Sequence, residues 1–329
     1  MKLGNLKLEN NFILAPMQNV TTGPYRRFCR KFYKIGLVCV PILYTKSIES
    51  NPKSIEWDLY KIKEERPISI QLIGSDSEAL KKSIEYLESY KFDVLDINAG
   101  CPSKRAIKSK QGGYLLNNLN KLQELLNIAV KFCSRPVSLK TRIGFKKNFN
   151  LNDFKEIINN SGIEFLTIHA RTVKDRSDDS TLNLEFLKNL KKSILIPLVG
   201  NGDINNPKSA KKFLDYTNVD AIMMGRGTLG NPEIFNQIHE YLVNGREIVL
   251  KNNKELMRKY IKIYEKLLDD FIDGISLKYP LEEYKFIELK RNSIWLTKNI
   301  KDSSNIRRII SETKNLSDLK RVIQNIFDA

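Results

Sequence analysis

The chain has 329 residues, 41% of them hydrophobic, and its 55 Lys and Arg against 38 Asp and Glu give a net charge of +17. This length holds one large domain, or a large domain with a smaller partner, and the apolar content excludes a wholly disordered chain. The longest apolar runs, such as 37–43 (LVCVPIL), fall far short of the roughly 18 residues that cross a bilayer.

The N-terminal MKLGNLKLENN lacks the basic start and apolar stretch of a secretory signal, so the expected location is the cytoplasm, with no membrane association. Cysteines at 29, 39, 101 and 133 form no C-x-x-C pair, and His169 and His239 are the only histidines. No disulfide framework and no metal site are expected from that material. The positive charge favours a polyanionic partner without identifying it. No basic tail exists, so an anion-binding surface has to be assembled by folding.

In chain order, residues 1–10 read as a small hairpin. Strands are predicted at 12–17, 37–42, 68–73, 94–99, 136–143, 165–170, 196–201 and 221–226, several apolar nearly throughout, as strands buried on both faces are. Helices are predicted between them. Asp76 caps 76–89, 117–133 repeats leucines on one stripe, and Asn206-Pro207 starts 206–217, a start repeated at Asn231-Pro232. The stretch 44–66 is the least helix-like. Eight strand–helix repeats in about 240 residues match a (β/α)₈ barrel, with the doubly wound sheet as alternative. After Gly245 the pattern becomes wholly helical, at 254–270, 281–299 and 303–327. The fold class is therefore a (β/α)₈ TIM barrel over 1–244 followed by a smaller all-helical domain over 245–329.

In such a barrel the chemistry lies at the C-terminal strand ends, where the special residues cluster. Strand one ends Pro16-Met17-Gln18, strand three carries Gln71, and strand four ends Asp96-Ile97-Asn98-Ala99-Gly100-Cys101-Pro102. Strand five carries Lys140 and Arg142, strand six ends His169-Ala170-Arg171-Thr172, strand seven Gly200-Asn201-Gly202-Asp203 and strand eight Gly225-Arg226-Gly227. The last two loops occupy the usual phosphate position of the fold, where glycine lets backbone N–H groups approach phosphate oxygens. Residues 225–230 spell G-R-G-T-L-G, but the dinucleotide fingerprint needs a strand–turn–helix–strand unit that is missing here.

Lys140 has three readings: a Schiff-base lysine, an anchor for an anionic cofactor, or an ion pair with Asp96. Cys101, on a constrained loop, is either a small loop residue or a catalytic thiol. The basic stretch 103–113, ending Gly112-Gly113, reads as a mobile lid. His169 is an acid–base group, a cofactor contact, or a histidine bonded to a neighbouring loop.

The ordered set L-A-P-M (14–17), Q-L-I-G (71–74), D-I-N-A-G-C-P (96–102), L-K-T-R-I-G (139–144), I-H-A-R-T (168–172), N-G-D-I (201–204) and M-G-R-G (224–227) resembles the tRNA-dihydrouridine synthases, most closely the bacterial B-type subgroup. The resemblance implies an FMN-dependent, NADPH- or NADH-driven reduction of the uracil 5,6 double bond in tRNA. It implies that Pro16, Met17 and Gln18 line the FMN and that Gln71 and Lys140 hold its ring. Asn201, Gly202, Asp203, Gly225 and Arg226 would hold its phosphate end, with His169 nearby.

By the same resemblance, Cys101 is the proton donor to C5, the hydride going from reduced FMN to C6. Asn98, Arg142 and Arg171 fall where the uracil is held, and Arg291, with Arg307 and Arg308, supplies tRNA contacts. An unassisted thiol is mostly protonated at neutral pH, which suits an acid. A base inside folded tRNA has to be turned out into the pocket, a cost that cationic phosphate contacts offset. The expected partner is tRNA, with no obligate protein partner and a monomeric state. Two departures stand out: Asn292 replaces a common histidine in the C-terminal motif, and 173–180 (VKDRSDDS) lacks aromatic or glycine-rich texture. A flavin barrel acting on a free pyrimidine and a non-catalytic RNA-binding protein are the competing readings.

Overall fold

Eight parallel strands close on themselves in the computed structural model, which describes residues 1–146, 150–175, 182–250, 253–275, 280–298 and 300–328. A hairpin of β1 (Lys2–Leu3) and β2 (Leu6–Lys7) precedes them. The barrel strands are β3 (Phe12–Leu14), β4 (Leu37–Tyr44), β5 (Ile68–Ile73), β6 (Val94–Ala99), β7 (Val137–Arg142), β8 (Phe165–His169), β9 (Leu198–Asn201) and β10 (Ala221–Met224). Each pairs with the next, and β10 returns to β3 through Ile222↔Phe12 and Met224↔Leu14.

Every residue of β5 and β6 is buried, because one face fills the barrel and the other meets helices. Leu3 and Leu8 join the interior cluster with Ile13, Val94, Phe165 and Val199, so the N-terminal hairpin plugs the end opposite the strand tips.

Helices separate the strands. They are α1 (Gly23–Phe32), α2 (Thr45–Ser50), α3 (Glu56–Leu59), α4 (Ser77–Leu87), α5 (Lys104–Lys108), α6 (Leu119–Phe132), α7 (Leu151–Asn160), α8 (Leu184–Lys191), α9 (Pro207–Thr217) and α10 (Ile234–Val243). The weakly patterned 44–66 holds only short helical pieces. Asp76 caps α4 through the Ala79 N–H at 2.9 Å, and Asn206 and Ser209 form a reciprocal capping box on α9. Asn231 does not repeat that cap. Its amide donates to Gln237 Oε1 at 2.7 Å, and α10 starts at Ile234.

Beyond residue 224 the described residues contain helices and no strand: α11 (Lys254–Ile272), α12 (Leu281–Leu296), α13 (Ser303–Glu312) and α14 (Leu316–Asp328). The one or two helices expected over 303–327 are two. These helices dock on α1. Phe28 meets the rings of Tyr260 and Tyr264 edge-on at 6.0 and 5.2 Å. The Thr22 hydroxyl donates to buried Glu288 Oε2 at 3.0 Å, and Glu288 also accepts from Tyr264 and Arg291. No helix among the described residues is long and apolar enough to cross a membrane.

Candidate active site

A cavity of about 670 Å³ opens at the C-terminal strand ends, within the size range of pockets that enclose small ligands. Pro16 and Met17 from the turn after β3, Lys140 and Arg142 from β7, and His169 and Arg171 from the end of β8 line it. Asn201, Gly202 and Asp203 from the end of β9 and its loop and Gly225 and Arg226 after β10 also line it. Gly227 permits the last two loops to touch: a Cβ there would lie 2.3 Å from the Ile204 carbonyl oxygen.

Positive charge dominates this wall. Burial, with Arg142 next, pushes the Lys140 ammonium down to about 8, and its amine donates to Asn201 Oδ1 at 3.2 Å. No ion pair joins Lys140 to Asp96 among the described residues, so the ion-pair reading of that lysine is set aside. Asp96 instead accepts from Gln71 Nε2 and the Ser138 hydroxyl, both at 2.5 Å. Burial pushes the Asp96 carboxyl up to about 6.

Arg142, lowered to about 10 by burial and by Arg171, donates to the carbonyls of Gly100 and Thr172 at 3.0 Å each. It ties the Cys101 loop to the loop after β8. Arg171 is buried and grips Asp203 with two bonds of 2.9 and 2.6 Å, and Arg226 adds a third at 3.2 Å. Those two arginines hold the Asp203 carboxyl below the usual carboxylate range, the Arg171 hydrogen bond foremost.

Burial, then Arg142 and Lys140, push the His169 imidazole down to about 2. Its surroundings in the cavity therefore disfavour the charged imidazolium. Its buried Nδ1 has no hydrogen-bond partner among the described residues.

Five expected residues, Gln18, Gln71, Asn98, Cys101 and Arg291, stand outside the cavity wall. Gln71 is fully buried; its Oε1 accepts from Asn98 Nδ2 at 2.8 Å. Asn98 Oδ1 in turn accepts the N–H groups of Gly100 and Cys101 at 3.0 and 2.9 Å. Gln18 is exposed on the turn after Met17. Cys101 is half-buried, donates from Sγ to Ser103 Oγ at 3.4 Å, and is close enough to act electrostatically on Lys140 and Arg142.

The stretch expected as a mobile lid is folded against this thiol loop. Ser103 caps α5 through the Ala106 N–H, and the Gly113 N–H donates to the Cys101 carbonyl at 3.0 Å. Its glycines serve close packing, since a Cβ on Gly112 would come 3.0 Å from Cys101 Cβ. Arg291 lies apart from the cavity, bonded to Glu288 with its guanidinium 5.7 Å from the Trp295 ring centre. Of the unusual loop 173–180, residues 176–180 lie outside the described residues.

Sequence reasoning missed Asn205, Met223 and Lys298, which also line the cavity. For Asn205 the adjacent N-G-D-I motif was a usable signal. For Lys298, far along the chain in the helical segment, there was none.

The fold and this mouth define a (β/α)₈ barrel with a predominantly cationic pocket at its C-terminal strand ends. Residues 13–329 match the family model described as dihydrouridine synthase. A tRNA-dihydrouridine synthase B of Pasteurella multocida is 35% identical over 257 residues, covering 76% of this chain and 75% of that protein. One of Vibrio parahaemolyticus is 33% identical over 283 residues, covering 83% and 85%. Among solved structures, the 6-hydroxypseudooxynicotine amine oxidase of Pseudomonas geniculata N1 superposes with a TM-score of 0.55 at 12% identity, over 80% of this chain. The chain spans about half the length of that longer protein, at 52%, and the likeness concerns the fold alone. This chain belongs to the dihydrouridine synthase family and is an oxidoreductase.

Proposed function

We propose that this protein reduces the 5,6 double bond of specific uridines in tRNA, in the cytoplasm, using FMN and a nicotinamide dinucleotide, NADPH or NADH, as reductant. The observation that carries the reading is the family match over residues 13–329, joined to a cationic cavity with the Cys101 loop beside it. The residues fit a flavin on their own chemistry. Lys140, Arg142 and Arg226 offer positive charge, and the His169 Nδ1 awaits a partner. A flavin mononucleotide brings a polar ring edge and a phosphate dianion to such a wall.

When bound and reduced, that group supplies a hydride to C6 of the uracil. Lys140 opposes negative charge developing at the pyrimidine edge of the ring. Asn201, which accepts from the Lys140 amine, orients that cation. Pro16 and Met17 give the ring an apolar edge to pack on, and Gly225 and Arg226 face the phosphate end. Cys101 delivers the proton to C5, from a loop on which its Sγ donates to the Ser103 hydroxyl at 3.4 Å. Asn98 and Arg142 hold the loop carrying the thiol, from its amide side and its Gly100 carbonyl. Residues 245–329 serve as the tRNA-binding domain, with Arg307 and Arg308 among its exposed cations.

Mass spectrometry of tRNA from a deletion strain, with and without the restored gene, tests the reaction and locates the uridine together. Dihydrouridine is expected to disappear at defined positions and return on restoration. An unchanged nucleoside profile would remove the assignment.

A further inference from the structure

We propose that the helical segment completes the phosphate end of the cofactor site, with Lys298 as a charged ligand to the phosphate monoester. The inference rests on the flavin reading above and extends it to a residue outside the barrel.

Lys298 follows α12 and lies on the cavity wall with Asn205, Gly225, Arg226 and Gly227. Those four belong to the loops after β9 and β10, the usual phosphate position of such a barrel. The lysine is not there by a loose excursion of the chain. Gly230 has φ +76°, and a Cβ built on it would lie 2.3 Å from the Trp295 carbonyl oxygen and 3.2 Å from Lys298 Cβ. Glycine at this turn is what lets the end of α12 sit directly on the loop after β10.

A second contact locks the same two pieces. The Trp295 ring meets Tyr25 edge-on at 5.8 Å, and the Tyr25 hydroxyl shares a 2.9 Å hydrogen bond with the Thr228 hydroxyl. The Lys298 N–H closes on the Trp295 carbonyl at 3.1 Å, which fixes the turn that carries the lysine. Its ammonium has no carboxylate partner among the described residues, whereas Arg226 beside it is shared with Asp203. A lysine here acts as a point charge toward phosphate, without the bidentate geometry of an arginine. Docking of the helical segment and retention of the cofactor are then linked through one side chain.

The test uses the full-length chain stripped of bound flavin and titrated with FMN or with riboflavin, which lacks the phosphate, following flavin fluorescence. Wild type is expected to prefer FMN. Lys298→Gln should weaken FMN by about fivefold, the upper range for a solvent-exposed charge pair, and leave riboflavin within about twofold. Lys298→Arg should recover most of the loss. Unchanged FMN affinity in Lys298→Gln, with wild type preferring FMN, overturns the inference and spares the flavin reading. Equal weakening of both ligands also overturns it, because the residue then acts on the position of the helix end. Wild type that binds neither flavin overturns the flavin reading itself, and this assignment with it.

Discussion

Asn98 accepts the Cys101 N–H through Oδ1 at 2.9 Å. The side chain near the tip of β6 therefore sets the conformation of the loop that presents the thiol. Behind it runs a buried chain in which Asn98 donates to Gln71, Gln71 to Asp96, and the Ser138 hydroxyl to Asp96. Asn98→Ala leaves two backbone N–H groups and the Gln71 carbonyl without partners, a loss of roughly 2–4 kcal/mol, measurable by urea unfolding. Turnover should fall by about two orders of magnitude from misplacement of the thiol, while FMN affinity stays close to wild type. A collapse of FMN affinity in step with turnover would show that Asn98 serves the cavity instead of the loop.

Cys101→Ala separates the two halves of the reaction. The variant should retain bound flavin and its reduction by NADPH, because the thiol lies beside the cavity lining. Dihydrouridine formation should drop by about 10²–10⁴, the usual contribution of a positioned acid. Full tRNA reduction by this variant would dismiss Cys101 as the proton donor.

The Lys140 ammonium, pushed down to about 8 by burial and by Arg142, gives the site a pH signature. An anionic ligand favours the protonated amine and raises its pKa on binding, so binding takes up a proton above pH 8. FMN affinity should be flat between pH 6.5 and 7.5 on this account and decline as pH rises through about 8 to 9.5. Lys140→Met should lower affinity at neutral pH and flatten the alkaline decline. The ammonium is lowered relative to the unfolded chain, so its charged form opposes folding at neutral pH. The same variant should therefore raise the thermal midpoint of the flavin-free protein slightly. A decline that persists in Lys140→Met would assign it to another group.

Glu288 is the node between barrel and helices, accepting from Thr22, Tyr264 and Arg291 while almost fully buried. Glu288→Ala strands the Arg291 guanidinium and two hydroxyls, and a loss of about 3–5 kcal/mol is expected, as when one partner of a buried pair is removed. Glu288→Gln keeps the acceptor and should lose less than half of that. Calorimetry distinguishes the two. Equal, small losses would mean that Glu288 is a surface-like pair with little hold on the docking.

The barrel was legible because its strands are short apolar runs, repeated eight times with amphipathic helices between them. Both burial patterns leave marks in local sequence. The Asp76 and Asn206 caps were legible for the same reason: a cap acts on N–H groups two or three residues away. Most of the cavity wall is made of residues from the strand-end motifs. What they could not show was which side chain each polar group spends itself on.

Gln71 and Asn98 read as ligand-facing residues, and the motifs gave no sign of the Asn98–Gln71–Asp96 hydrogen bonds that parallel pairing of β5 and β6 brings about. Arg171 read as a substrate contact from its motif, which gave no sign that Asp203 at the next strand end holds its guanidinium. These choices depend on register and loop approach across the barrel. So does the seat of Lys298, which a glycine's left-handed turn and one tryptophan carbonyl decide. Local pattern carries the free energy of burial and so determined the barrel and its strand ends. Hydrogen-bond partnership and the cationic surroundings of His169 come from groups distant in sequence, and only the closed fold brings those within reach.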